Sequence, residues 1–583
     1  MLLLEYGTVN IDKRTMTASS SSAAETTKNN EKELICQRLS EVASKDYPFQ
    51  CELDEKRKKV DAAEKETKKY RVNLKSSKNL RPLLWSMLYF VWDVLLCFPL
   101  CIIFAFVTLV LTVRTSSNMN DDVATFYPKV CGTCTILCMI RLWNDPFFVH
   151  WLTNGQWSTL VSGKTRESMM KQQDDIYFKD TPVNQRLADR LRPLLPYRPV
   201  PYLFSGDLLT LYPFLYFKGS KGSRVQYSRW WIKVPNAPAP DGDNGPFKNH
   251  DHEENNNDDD EAVAMDISFP NNENNNSMDT DTTTNNNKPT FLILHGLNGG
   301  STEPYVLDLV RRANAEGCIA AVMINRGMSK TPLRGMESFN GSRTSDVGCA
   351  VDTLLHALGG NDRRSCGTNT SASSDKRQQQ PRIVLVGFSM GAIIAANYVA
   401  KSKHQSGVMG CVAFSGTICG DLMLLQTKAA QHSLRIWQPA LAWGLKATVA
   451  KPQIHNLVQR CGSTTPQMIE NDIQTVMDID RILVCKYHGY RHVSDYYEDL
   501  SACGRGDAKG IEKIKGITTP TLLVHAMDDP IATFEVTMPH VIPTTDHVML
   551  LATKHGGHIG WPTSWKPIKE RWSFMMNIAM EFA

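Results

Sequence analysis

Six short apolar runs punctuate the C-terminal half of the chain: residues 291–295 (FLILH), 318–325 (CIAAVMIN), 382–387 (RIVLVG), 410–416 (GCVAFSG), 521–526 (TLLVHA) and 547–553 (HVMLLAT). Each is continuously apolar rather than alternating, which is the pattern of strands buried on both faces of a parallel sheet. Helix-length segments lie between them, so the alternation predicts an α/β architecture, a mostly parallel sheet flanked by helices. Residues 225–234 (VQYSRWWIKV) read as one more strand. From 419 to 500 the alternation stops and a helix-rich stretch takes over, predicting a cap over the C-terminal edge of the sheet.

Other segments lack this periodicity. Residues 236–289 and 360–380 are rich in Asn, Ser and charge and read as low-complexity insertions within the domain. Residues 1–82 read as a disordered tail, basic over 56–81, where eleven Lys/Arg occur. Next, residues 94–113 (VLLCFPLCIIFAFVTLVLTV) run twenty positions without a charge, about 30 Å as a helix, enough to span a bilayer. This predicts a transmembrane signal-anchor over 83–113. Seven Lys/Arg within 65–81 against Arg114 and Lys129 on the far side predict a type II orientation, with a cytosolic N-terminus and everything after Val113 lumenal in an endomembrane such as the endoplasmic reticulum. The basic run then serves anionic lipid rather than nucleic acid. On that reading Asn275, Asn340 and Asn369 are glycosylation acceptors. Residues 114–194 read as an aromatic-rich membrane-proximal linker. Its Cys131 and Cys134 form a CxxC with no second ligand pair following, so no metal site is predicted.

Composition narrows the classes. With 42% hydrophobic and 21% charged residues the chain is neither wholly disordered nor a multipass membrane protein, and 15 cysteines in 583 residues are too dilute for a disulfide scaffold. The net charge of +4 is unevenly spread: residues 241–287 hold thirteen acids against one lysine.

The chemistry-bearing motif is GFSMG, Gly387 to Gly391. A strand-like run precedes it and a helical pattern follows, so Ser389 sits where a sharp strand-to-helix turn lifts its hydroxyl above a sheet. A serine hydroxyl is a weak nucleophile until a base, oriented by an acid, removes its proton. In this architecture the acid and then the histidine follow the serine along the chain. The loop after residue 526 offers Asp528 and Asp529, and the loop after 553 offers His555 and His558. The motif alone does not choose within either pair. An oxyanion hole needs two backbone N–H groups: Met390, after the nucleophile, supplies one, and the glycine-rich loop His295 to Gly300 supplies the other, for which the Leu297 amide is the candidate.

LHGLNGGSTEPYVLDLV, INRG, GFSMG, HGYRHVSDYYEDLSAC, AMDDP and GGHIG together resemble the membrane-anchored α/β-hydrolase-domain lipases and esterases, which include bacterial hydrolases and yeast medium-chain ester synthases/esterases. The resemblance covers about residues 195–583 apart from the two insertions. It implies an α/β-hydrolase fold, Ser389 as nucleophile, Asp529 as the acid because it precedes Pro530, and His558 as the base because it occupies the GGHIG position. A histidine is usual in that family where this chain has Asp207. The H-x-x-x-x-D acyltransferase signature of some other α/β hydrolases is absent. The expected activity is cleavage of carboxylic esters in acyl lipids, with no metal or organic cofactor; the alternatives are an alcohol acyltransferase using the same acyl-enzyme and a non-catalytic lipid-binding receptor.

Overall fold

The six apolar runs become six adjacent parallel strands. In chain order the sheet comprises β1 (Ala43–Lys45), β2 (Asp175–Tyr177), β3 (Ser228–Lys233), β4 (Ala262–Ser268), β5 (Thr290–Leu294), β6 (Ala320–Ile324), β7 (Ile383–Phe388), β8 (Val408–Phe414), β9 (Thr521–Ala526) and β10 (Val548–Thr553). The computed structural model describes residues 22–45, 174–200, 202–203, 205–217, 225–234, 261–270, 288–333, 338–359, 381–402, 407–460 and 464–583. Across the sheet the order is β1-β3-β4-β6-β5-β7-β8-β9-β10-β2. Strands β6 to β10 of that order run parallel, whereas β1, β3 and β4 at one side and β2 at the other pair antiparallel. This is the α/β-hydrolase fold.

The strand period of two splits each buried strand between two cores. In β5, Leu292 and Leu294 join one core while Phe291 and Ile293 join the other. The first core is closed by helices Ser345–Ala357 and Met390–Lys401, the second by Pro304–Ala315 and Ser573–Phe582.

Three expectations about the chain outside these strands need correction. Residues 22–45, expected within a disordered tail, form a helix, Ser22–Val42, and the edge strand β1. Ile35, Leu39 and Ala43, four residues apart, bury one narrow stripe against the first core, which a composition dominated by Glu, Lys and Asn conceals. The expected insertion 236–289 contains β4, buried along its whole length between β3 and β6. The two acids described there are paired rather than solvated: Asp266 takes two hydrogen bonds from Arg229, at 2.6 and 2.7 Å, and Glu261 pairs with Arg326. Within the expected linker 114–194, residues 175–177 form β2 and Pro182–Leu191 a helix, both belonging to the domain. The apolar run 94–113, the aromatic stretch 121–157, Cys131, Cys134 and the insertion 360–380 lie outside the described residues. Among the described residues no helix is long and apolar enough to cross a membrane.

The 419–500 stretch is helical and has its own small core, built from Leu445, Ile469, Ile482 and Tyr487 among others, with Leu297 packed against it. One buried acid there sets a pH dependence. Asp480 accepts a hydrogen bond from Tyr497 Oη at 2.8 Å. Burial pushes its carboxyl up and Tyr497 pulls it part of the way back, to about 7. The native state therefore holds this proton more tightly than an unfolded chain, whose Asp titrates near ~3.9. The contribution is full below that pH and is lost as pH rises through about 7. Asp480→Asn is expected to flatten the fall in urea-unfolding stability between about pH 5 and about pH 8; an unaltered slope contradicts this.

Candidate active site

Strand β7 ends at Phe388 and helix Met390–Lys401 begins two residues later, leaving Ser389 alone to make the turn, at φ 52° and ψ −117°. Such a conformation is strained for a residue with a Cβ and survives only where its surroundings impose it. The flanking glycines are what make room. A Cβ on Gly387 would lie 2.4 Å from the Gly391 carbonyl oxygen, and one on Gly391 would lie 2.1 Å from that of Leu294. The turn is held from beneath by the Ser389 amide, which donates to Phe414 O in β8 at 2.8 Å.

The Ser389 Oγ lies 2.8 Å from His558 Nε2, and His558 Nδ1 lies 2.8 Å from Asp529 Oδ2. These three come from the ends of β7, β9 and β10, where adjoining parallel strands deliver their loops to one edge of the sheet. The other Asp529 oxygen accepts from the amides of Ile531 and Ala532 at 2.8 and 2.9 Å. Burial alone would raise the Asp529 carboxyl. The charge and hydrogen bond of His558, with His525 behind it and the Ala532 amide, outweigh that and hold it below the usual aspartate value. Asp529 is thus an ionised carboxylate aimed at an imidazole whose other nitrogen faces a serine hydroxyl.

Asp528 and His555 form a separate pair beside this one, 3.2 Å apart, and the second Asp528 oxygen accepts from Gly557 N at 2.9 Å. They bond to each other and to Gly557 rather than to Ser389, and so hold the loop that presents His558. Two further side chains do the same: the His558 amide donates to Thr210 Oγ1 at 2.8 Å, and the Ile559 amide to Ser415 Oγ at 3.0 Å. Sequence reasoning did not find them. Each acts through one contact across 348 or 144 residues of chain, and no local spacing announces it.

The glycine-rich loop is anchored at its start. His295 is fully buried, which lowers its pKa to about 4, so the ring is neutral. Its Nε2 accepts from the Asn325 amide at 3.1 Å, which leaves Nδ1–H to donate to Gly296 O at 2.8 Å. The Gly296 amide in turn donates to Tyr305 Oη at 3.0 Å. Tyr305 therefore fixes the loop that carries the Leu297 amide, while Met390 opens the helix after Ser389. Tyr305→Phe removes that acceptor and leaves a buried N–H unpaired. It is expected to lower kcat about tenfold with KM little changed, the equivalent of ~1.4 kcal/mol; a shift in KM alone would assign Tyr305 to substrate binding instead.

Asp207 is buried at the start of helix Gly206–Tyr216. It accepts from Trp437 Nε1 at 2.7 Å and lies 3.0 Å from His432 Nε2, both on the cap helix Lys428–Leu445. The position where the resemblance led one to expect a histidine is thus an acid that meets a histidine from the cap. It ties the cap to the helix whose Thr210 holds the His558 loop.

The sheet order and the Ser389–His558–Asp529 arrangement have the form seen in the α/β-hydrolase class. Residues 291–559 match the sequence profile of the alpha/beta hydrolase family. Among similar proteins, the monoacylglycerol lipase of Saccharomyces cerevisiae is 26% identical over 47% of this chain and 55% of its own length. Human phospholipase ABHD3 is 23% identical over 47% of this chain and 60% of its own length. The chain therefore spans less than two thirds of the length of these relatives. An esterase of Pyrococcus furiosus, 13% identical, covers 62% of this chain and 96% of its own with a TM-score of 0.30.

Proposed function

We propose that this protein is a membrane-associated serine hydrolase that cleaves carboxylic ester bonds of acyl lipids. The observation that carries the reading is the continuous relay Asp529–His558–Ser389, with both hydrogen bonds at 2.8 Å. His558 takes the Ser389 proton as Oγ bonds to the ester carbonyl carbon. The amides of Leu297 and Met390 hold the resulting oxyanion, and Asp529 fixes the imidazole orientation and offsets its positive charge. Collapse of the tetrahedral species breaks the ester C–O bond, and His558 returns the proton to the leaving alcohol. Water then adds to the acyl-enzyme, giving its proton to His558, and the acid departs as the proton returns to Ser389. No metal or organic cofactor enters these steps.

Acyl lipids, either acylglycerols or phospholipids, are favoured as substrates because the relatives named above are a monoacylglycerol lipase and a phospholipase. The apolar run 94–113 with its basic flank supports attachment to a membrane. A single type II crossing with a lumenal catalytic domain is a poorer fit, because residues 22–45 pack on the catalytic sheet.

A fluorophosphonate probe tests the catalytic reading. The full chain is expected to label, and Ser389→Ala is expected not to. A wild-type protein that fails to label, or a variant that labels equally, removes the claim. Lipid extracts of cells expressing wild type or Ser389→Ala are expected to differ in acylglycerols or phospholipids.

A further inference from the structure

We infer that residues 22–45 and the catalytic domain lie on one and the same side of the membrane, the cytosolic side, so that the chain between Lys45 and Asp174 crosses the bilayer an even number of times or not at all. This rests on the membrane attachment proposed above and changes its geometry.

The argument begins at the sheet edge. Strand β1 pairs antiparallel with β3 in the register Ala43 with Ile232, Ser44 with Trp231 and Lys45 with Trp230. The preceding helix buries Leu39 completely and Ile35 almost so, and β1 adds Ala43, in the core shared with β3, β5 and helix Ser345–Ala357. Polar side chains of the helix and of β1 are engaged as well. Glu41 lies 3.1 Å from His356, Lys32 stands over the Phe269 ring at 5.3 Å, and Lys45 stands over the Trp230 ring at 5.7 Å. These contacts reach three separate parts of the domain.

The chain rejoins the domain at the opposite edge. Asp174 accepts hydrogen bonds from the amides of Lys554, at 2.7 Å, and Tyr197, at 2.5 Å, and β2 pairs with β10. Residues 46–173 thus leave one side of a ten-stranded sheet and return to the other. One crossing of the 94–113 run would set about 30 Å of hydrocarbon between β1 and β3, which are bonded partners. Docking of residues 22–45 and a single crossing are mutually exclusive.

The side follows from charge. Seven Lys/Arg at 65–81, between Lys45 and the apolar run, retain that end in the cytosol, and the docked helix and strand hold the catalytic domain there with it. Two further observations agree. All seven cysteines described are free thiols, as expected in a reducing compartment. In the acceptor tripeptide at Asn340, the Asn340 Oδ1 already takes hydrogen bonds from both the amide and the hydroxyl of Ser342, each at 2.9 Å.

Protease protection on sealed microsomes tests this, using the full chain with different epitope tags at its two ends. Both tags are expected to be lost without detergent while a lumenal marker survives, and glycosidase treatment is expected to leave the mobility unchanged. Loss of the N-terminal tag with survival of the C-terminal one until detergent is added overturns the inference. A second measurement addresses the docking itself. Leu39→Asp in the full chain is expected to lower the thermal midpoint of the catalytic domain, and an unchanged midpoint overturns it. Fluorophosphonate labelling of Ser389 is read on the same microsomes. A protein that labels but protects its C-terminal tag sinks the topology alone, and one with both tags exposed that does not label sinks the hydrolase reading alone.

Discussion

Ser389→Ala is expected to lower kcat on a soluble ester such as p-nitrophenyl butyrate by about 10⁶-fold, leaving the residual rate that oxyanion donors and binding supply by themselves. The three relay groups act as a unit, so His558→Ala should cost about as much, and the double variant little more than either alone. Asp529→Asn should fall by about 10⁴-fold, because an amide facing His558 Nδ1 no longer selects the tautomer that leaves Nε2 free to accept the Ser389 proton. The neighbouring pair supplies the control. His555 is the more exposed of the two histidines and lies against Asp528 rather than Asp529. His555→Ala should therefore stay within a few-fold of wild type. Were Asp529→Asn mild and Asp528→Asn severe, the acid would have to be reassigned.

Arg326→Leu is expected to destabilise the fold by about 3–5 kcal/mol, the largest loss of stability anticipated for one surface-distant side chain here. The guanidinium is nearly fully buried just past β6 and grips Asp346 through two hydrogen bonds, at 2.7 and 2.9 Å, while its remaining nitrogen pairs with Glu261. Removing it leaves two carboxylates in the interior with no cation between them, and the cost arises chiefly from that uncompensated charge rather than from the lost bonds. Adding Glu261→Gln and Asp346→Asn to Arg326→Leu should restore part of the stability. Urea unfolding measures both. A change below about 1 kcal/mol would mean that water reaches the site and solvates the carboxylates.

These two predictions differ in how far each could be read along the chain. The nucleophile turn was legible because its chemistry is local: a buried strand, a glycine on each side of Ser389, and a helix that follows. The six parallel strands were equally legible, since a strand covered on both faces must be apolar at every position. The Asp346–Arg326–Glu261 cluster was hidden. It joins the start of a helix, the end of one strand and the beginning of another, and Glu261 lies in acidic sequence that reads as solvated. Strand β4 escaped for the same reason, as its one acid, Asp266, is neutralised by Arg229 on the neighbouring strand β3.

By itself, then, the sequence determined the sheet, the turn that carries Ser389, and the order in which acid and histidine follow. For the choice within Asp528/Asp529 and His555/His558 it relied on likeness to other proteins, because adjacent residues of one type share every local property. Only the tertiary structure decided what distant contacts decide: which carboxylate faces which imidazole, that Thr210, Ser415 and Tyr305 brace the loops around them, that Asp207 meets His432 of the cap, and that residues 22–45 complete the sheet. A three-residue edge strand and a helix, sharing a stripe of only three small or aliphatic side chains, are too weak to fold alone. They acquire their structure from the surface they cover, and that surface is assembled from residues nearly two hundred or more positions away.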